Sequence, residues 1–477
     1  MTDEVEAVGR HASILPDSAD RAPSATSAAG RGPPVDSTPV IERTLTASLA
    51  AATDGPVTVG GWVDTVRDQK KVQFVVLRDE SGAVQLVHPR EPEGTPDPIA
   101  ETISGLAQGS FVVVDGELKH DERVKLGGVE IRVGAIDVVG PADPETPIAE
   151  DSGIDKRLDW RYLDLRHPRN ALVFKVQTTL EHAWRSWWVE RGFVEVHTPT
   201  LMSSPAESRA ELFELDYFEL GTAYLAQSPQ HYKQMAQAAG FGSVFAITPV
   251  FRADPSFTAR HATEFTSVDA EMSWIDSHED VMAMQEQLIA AGFAAVKERH
   301  GEEIERVFGI EVEVPALPFP RIPLAEAHER IRERGYTVPR ADGDLDPEGE
   351  RQLAAHVKET TGHDFVFVTD YPTGIRPFYH MVNAATGLTK SYDLIYRGTE
   401  ITTGAQREHR PEVLEQQAIA KGLDVKGLEH YLEFFRFGIP PHGGFGMGLA
   451  RVLMLMLGLA SIRESTFLFR GPTRLAP

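Results

Sequence analysis

FRADPSFTARHATEFTSVDAEM, residues 251–272, decides the reading of this chain. An apolar, β-branched run, Val244–Phe251, leads into it. An alternation of apolar and acidic residues leads out towards Glu271 and Trp274. This pattern predicts strand, loop, strand. Pro255 marks the loop, because proline cannot donate to a sheet ladder. Arg252, Arg260 and His261 crowd around that loop. A guanidinium projected from a rigid sheet grips two phosphate oxygens at once, so the hairpin reads as a polyphosphate clamp. A surface hairpin with ordinary ion pairs is the plainer alternative.

Towards the N-terminus, AYLAQSPQHYKQMAQAAG (223–240) reads as a strand, a turn at Ser228–Pro229 and a helix from Gln230. Gln230 and Lys233 then lie about one turn apart. The preceding SSPAESRAELFEL is a loop, and FVEVHTPTLM (193–202) is a strand ending near Pro199. A helix is predicted from Asn170 to Arg191, with Phe174, Leu180, Trp184 and Trp188 at helical spacings and Gly192 as its stop.

Towards the C-terminus, residues of about 275–364 read as a helical insertion between core strands, with no catalytic-looking cluster. Strands return at FVFVTDYP (365–372) and FYHMVNA (378–384). In SYDLIYRGTEITTGAQREHR (391–410), Asp393 and Glu400 are separated by a strand-like run. On one face of a sheet they would make a divalent-cation site with phosphate as co-ligand, and Thr403 could add an oxygen. Otherwise they are charges on a solvated strand. Arg407 follows the TTG turn. Finally, IPPHGGFGMGLARVLMLMLG (439–458) runs a glycine-rich strand, Gly443–Gly448, into an apolar helix carrying Arg451 in its first turn. Glycines there would let a flat ligand lie on the backbone. The spacing is not that of a P-loop, and the pattern is not the alternating βαβ of a dinucleotide fold.

Residues 1–42, rich in Ala, Ser, Pro, Asp and Gly, read as a disordered tail. From Val57 about five short strands with turn signals suggest a small closed barrel of the oligonucleotide-binding type, residues 43–140. Phe74 and Gln85 fall on adjacent strands, where a ring can stack an unpaired base and an amide can read its edge. A core position for Phe74 is the other reading. Lys125 lies in the loop before the last strand, placed to meet phosphate or a base. Residues 141–168 read as a linker.

The 477 residues carry a net charge of −24 and no cysteine, with 42% hydrophobic and 25% charged residues. That is the composition of a soluble globular protein. It excludes disulfides, thiolate metal sites and a cysteine nucleophile, and fits a cytoplasmic setting without a membrane partner. No apolar run reaches the roughly 18 residues that would span a bilayer. A nucleic-acid partner would be held by shape and local basic patches, not by a generally basic surface.

Together these stretches resemble the class II aminoacyl-tRNA synthetases, and within them the aspartyl type of archaea and eukaryotes. FVEVHTPTL is similar to the first motif of that class, FRADPSFTARH to the second and GGFGMGLAR to the third. QSPQHYKQ resembles the aspartate-binding loop, and GAQREHR and PPHGGFG resemble C-terminal signatures. The resemblance covers residues of about 43–477. It implies an α+β fold: an N-terminal OB-fold anticodon-binding barrel, then a class II catalytic domain at 169–477 whose antiparallel sheet is flanked by helices. It implies ATP and Mg2+ as cofactors, and L-aspartate and tRNA(Asp) as partners. Charging of tRNA(Asn) as well would turn on barrel contacts around Asp64 and Lys125. It also implies a homodimer, with Pro199 at the interface.

Residue by residue, the resemblance assigns ATP to Arg252, Asp254, Arg260, His261, Glu400, Gly448 and Arg451. It assigns magnesium to Glu400 and Thr403 with Asp393 nearby. Aspartate falls to Glu207, Gln230, Lys233, Arg252, Thr403 and Arg407, with Lys233 and Arg407 on the side-chain carboxylate. Three departures stand out. Asp254 replaces the usual glutamate of the second motif. Ala450 replaces the acidic residue before the arginine of the third. Ser208 and Arg209 replace glycines after Glu207. The loss at Ala450 threatens to loosen Arg451 and admits a catalytically altered paralogue, one that binds or regulates tRNA or passes aspartate to another acceptor.

Overall fold

The computed structural model describes residues 43–149, 151–204, 212–340 and 343–477. The expected tail, 1–42, and Glu207 lie outside the described residues. The chain divides between Thr146 and Pro147 into two units.

The first unit is a closed barrel of β1 (Gly55–Asp68), β2 (Val72–Arg78), β3 (Ala83–Pro89), β4 (Phe111–His120) and β5 (Val129–Gly140), with α1 (Pro98–Ser104) between β3 and β4. Its strand order is β1-β2-β3-β5-β4. Alternation along β2 puts Val75 and Leu77 inside and Phe74 on the outer face, because successive strand residues point to opposite sides. The core reading of Phe74 is therefore set aside.

The second unit opens with α2 (Ile154–Asp159), α3 (Arg161–Asp164) and α4 (Pro168–Val189). The expected linker, 141–168, is thus only partly linker. Arg161 is buried and donates to the carbonyls of Glu464, Thr466 and Phe467, which ties α3 to the C-terminal segment. In the charge-rich DKRLDWRYLD, Arg161 is paired with Asp164 inside the fold.

There follow β6 (Val194–Glu195), β7 (Leu201–Met202), β8 (Glu214–Asp216), β9 (Thr222–Leu225), α5 (Gln230–Ala238), β10 (Ser243–Phe251) and β11 (Glu264–Ser273). Then come α6 (His278–Phe308), β12 (Arg321–Pro323), α7 (Leu324–Glu333), α8 (Pro347–Thr361), β13 (Phe365–Pro372), β14 (Leu388–Tyr396) and β15 (Thr399–Gln406). The unit ends with α9 (Pro411–Ala420), α10 (Glu429–Glu433), β16 (His442–Gly448) and α11 (Leu449–Met456). Eight strands form one sheet, β12-β13-β14-β15-β16-β11-β10-β6, antiparallel except for the outermost pairs β12–β13 and β10–β6. Strands β7, β9 and β8 form a small separate sheet.

Two expectations change here. FVEVHTPTLM is not one strand: β6 joins the large sheet, β7 the small one, and exposed Pro199 lies between them. The stretch 275–364 is not one insertion either. Helix α6 is the spine of the core, where Val281, Met282, Leu288, Ile289 and Phe293 pack with Trp184, Trp188 and Leu180 of α4 over the sheet. The helices approach so closely at Gly292 that a β-carbon there would lie 2.3 Å from the Trp184 indole nitrogen. Helices α7 and α8 form a second layer, in which Leu324, Ile331, Leu353 and Val357 pack against Val366, Val368 and Tyr371 of β13 and Ile395 of β14.

Candidate active site

The face of the sheet away from α6 carries a cavity of about 360 Å³. Gln230, Lys233, Arg252, Asp254, Arg260, His261, Glu400, Thr403, Arg407, Gly448 and Arg451 all line it. The hairpin β10–β11 brings in Arg252, β15 brings Glu400, Thr403 and then Arg407, and α11 brings Arg451. A second cavity of about 290 Å³ shares Arg260, His261, Glu400 and Arg451, and adds Asp393, Asp344 and Glu350.

Around Arg451 the site is held by backbone. Arg451 Nη1 donates to the carbonyl of Glu400 at 2.8 Å, and Nε to that of Arg260 at 3.3 Å. With Ala450 in place of an acidic neighbour, these two carbonyls orient the Arg451 guanidinium. His261 is held neutral: burial first, then the charges of Arg451 and Arg260, push it down to about 4.

Glu400 is the reverse case. Burial, then repulsion from Asp393, pushes its carboxyl up to about 7. Thr403 Oγ1 donates to Glu400 Oε1 at 3.1 Å, so a carboxylate and a hydroxyl stand side by side. Asp393 is not free to join them as expected: Arg376 grips it twice, at 2.9 and 2.6 Å. Among the described residues no group of three or more His, Cys, Asp or Glu could hold a metal unaided. The Glu400 carboxyl beside the Thr403 hydroxyl would suit a magnesium ion completed by phosphate and water, whose charge would favour the ionised carboxylate that burial and Asp393 disfavour.

The opposite end of the cavity is a buried network of four charges. Lys233 Nζ donates to Asp269 Oδ1 and to the carbonyl of Phe445, both at 2.9 Å, and lies 3.4 Å from Glu271. Arg407 donates from Nε and Nη2 to the two oxygens of Glu271, at 2.9 and 3.3 Å. Burial alone would raise Glu271, but Arg407 and Lys233 outweigh it and bring it below its ordinary value. Arg407 Nη1 also donates to His380 Nε2 at 3.1 Å. Since arginine cannot accept, that bond fixes His380 as the neutral tautomer with its proton on Nδ1. Arg407 has five N–H groups and three are engaged, which leaves two for a ligand. The expected pair of cations is thus present, but two carboxylates balance it, and the end of the cavity is neutral overall.

Strand β16 makes room for this. A β-carbon at Gly444 would lie 2.3 Å from Glu271 Oε2, and one at Gly446 3.1 Å from Asp269 Oδ1. The glycine run therefore accommodates acidic side chains of β11 at least as much as a flat ligand. Asp269, Glu271, His380, Arg376 and Phe265 escaped the sequence reading. For Asp269 and Glu271 a signal existed: acidic residues at alternate positions of a strand, and a glycine at alternate positions, Gly444, Gly446 and Gly448, of another. Phe265 lines the cavity with the Arg252 guanidinium over its ring at 5.6 Å.

On the barrel, Phe74 and Gln85 face outward on β2 and β3. Arg67 lies over the Phe74 ring at 5.2 Å and donates to Gln85 Oε1 at 3.0 Å. Lys125 is exposed in the loop between β4 and β5.

An antiparallel sheet carrying an arginine from its hairpin and another from the helix after a glycine strand defines a synthetase of the second structural class. The chain belongs to that family: the description "tRNA synthetases class II (D, K and N)" matches residues 153–470, and "OB-fold nucleic acid binding domain" matches 57–139. The aspartate–tRNA(Asp/Asn) ligase of Methanopyrus kandleri is 41% identical over 445 residues, 92% of this chain and 100% of the relative. The aspartate–tRNA(Asp) ligase of Pyrococcus abyssi is 39% identical, over 88% of this chain and 96% of the relative. Among solved structures, the asparaginyl-tRNA synthetase of Pyrococcus horikoshii with asparaginyl-adenylate superposes with a TM-score of 0.84 at 34% identity, covering 92% of this chain and 100% of that one. The aspartyl-tRNA synthetase of Entamoeba histolytica gives 0.81 at 32%, covering 91% and 93%.

Proposed function

We propose that this synthetase is an aspartate–tRNA ligase, which activates L-aspartate with ATP and transfers it to the 3′ end of tRNA. The observation that carries the reading is the single cavity: three arginines and Glu400 at one end, Lys233 and Arg407 at the other. The second end suits a carboxylate side chain, because Arg407 keeps two N–H donors there beside the Lys233 ammonium. An amide would leave one of those donors facing a donor.

The aspartate α-carboxylate attacks the α-phosphorus in line, pyrophosphate leaves, and a mixed anhydride forms. Arg252 meets the α-phosphate and the attacking carboxylate, so the charge that develops there is matched before the reaction starts. Arg260 and Arg451 hold the remaining phosphates, and Phe265 offers its face to the adenine. Glu400 and Thr403 would hold magnesium, which supplies charge neutralisation on the phosphates. A hydroxyl of the terminal ribose of tRNA then attacks the anhydride carbonyl, and AMP leaves. Phe74, Gln85 and Lys125 are the anticodon contacts.

Exposed Val189, Val194, Leu201, Phe241 and Trp274 around the β6 edge support a homodimer through that face, and the setting is the cytoplasm. No helix among the described residues is long and apolar enough to cross a membrane. No feature of the site favours the altered paralogue once Arg451 is seen to be fixed. The test is aspartate-dependent ATP–pyrophosphate exchange. It is expected in the wild type and lost by about 100-fold or more in Arg252→Ala. Exchange with asparagine instead of aspartate would overturn the reading.

A further inference from the structure

Four residues from four separate segments close a ring of hydrogen bonds beside the second cavity. Glu350 Oε2, in the first turns of α8, accepts from Arg260 Nη1 at 2.7 Å and from the backbone N–H of Glu400 at 3.1 Å. Arg260 passes the chain of contacts on through its carbonyl to Arg451 Nε, and Arg451 Nη1 returns it to the carbonyl of Glu400. Three members of the ring are residues assigned above to the phosphates and their cation. The fourth is not, and it comes from the module that the sequence reading set aside as lacking catalytic features.

Glu350 is poorly explained as a brace for the fold. It is only 6% exposed, and burial raises its carboxyl above the ordinary range against the pull of Arg260. An apolar side chain would stabilise such a position as well or better, since a buried ion pair rarely repays its desolvation. The rest of α8 is already anchored through Leu353 and Val357, which pack with α7 and with strands β13 and β14. A carboxylate at this point makes sense for what it orients. One oxygen fixes the guanidinium of Arg260 and leaves its other four N–H groups for phosphate oxygens. The same oxygen fixes the start of β15 at Glu400. The site has no carboxylate at position 450, and the Ala450 carbonyl is engaged by Ser465 Oγ at 2.9 Å. Glu350 reaches the same group of arginines from a different element.

We propose that Glu350 is a positioning residue for ATP, which sets Arg260 and the Glu400 backbone in register with the phosphates and couples the α7–α8 module to nucleotide binding. This deepens the function proposed above and rests on it for the identity of the nucleotide.

The experiment uses the full chain with Glu350→Ala, Glu350→Gln, Arg260→Ala and the double variant Arg260→Ala/Glu350→Ala. ATP–pyrophosphate exchange gives KM for ATP and for aspartate separately, and calorimetry gives ATP affinity without aspartate. Glu350→Ala is expected to raise KM for ATP about 10-fold and to leave KM for aspartate within about 2-fold. Glu350→Gln keeps the acceptor and guards against misfolding, and it falls between. The loss in the double variant should be clearly less than the sum of the two single losses, because the Arg260–Glu350 contact is removed in each of them and only the Glu350 bond to the Glu400 backbone is lost in addition. Unchanged KM for ATP, equal rises in both KM values, or additive losses in the double variant would overturn the proposal. If the wild type shows no exchange with aspartate, the assigned amino acid is wrong. ATP calorimetry on wild type and Glu350→Ala still decides the role of Glu350.

Discussion

Two buried histidines show how single residues set the acid limit of this protein. His231 stacks on Tyr431 with ring centres 4.1 Å apart, and burial pushes it down to about 4. His442 accepts at Nε2 from Gln234 and donates from Nδ1 to the carbonyl of Pro440, both at 2.9 Å. Burial dominates there too, and holds it at about 4 despite Glu271. In the unfolded chain both titrate near 6.5. Between 6.5 and 4 the unfolded state therefore binds more protons, and stability contributed by these sites falls as pH falls through that window. Urea midpoints should drop between pH 7 and pH 5, and His231→Phe, which keeps a ring on Tyr431, should flatten the slope. An unchanged slope would mean that His231 binds protons alike in the folded and unfolded states. Neither histidine was legible as neutral in the sequence. HGGFG and QHYKQ show where the residues stand, but neutrality comes from side chains far away in the chain, such as Tyr431.

At the scale of elements, legibility followed the range of the interactions. The hairpin β10–β11, helix α5 with Gln230 and Lys233, and the passage from β16 into α11 were all readable, since each rests on local periodicity and turn chemistry. Helix α6 was misplaced because an amphipathic, acid-rich stretch looks the same whether it packs on a core or stands apart. What settles its place is Trp184, more than 100 residues earlier, lying against Gly292. Glu350 was missed for the same reason: in DPEGERQL it is one charge among several, and its partners Arg260 and Glu400 are on other segments. The α4–α6 contact predicts a sharp cost. Gly292→Val should force the helices apart, lowering stability by about 1–3 kcal/mol or more. Thermal unfolding followed by circular dichroism measures it. A shift of less than a degree would mean that the helices separate there without penalty.

For the whole molecule, a net charge of −24 must coexist with binding a polyanion. Broad electrostatic attraction is not available, so affinity for tRNA has to come from two sites engaged at once, each with its own focused cations and aromatic faces. The barrel has a core of its own, including Val59, Val75, Leu86 and Ile131, distinct from the one beneath the catalytic sheet. Residues 147–477 should therefore fold alone and keep exchange with aspartate within about 3-fold of the full chain. Charging of tRNA should fall by about 100-fold or more, because the second point of attachment is lost while the chemistry is not. Parallel exchange and charging assays on the two proteins separate these effects. Equal losses in both would mean that the barrel supports the catalytic fold itself. No loss in charging would mean that Phe74, Gln85 and Lys125 do not contact tRNA productively.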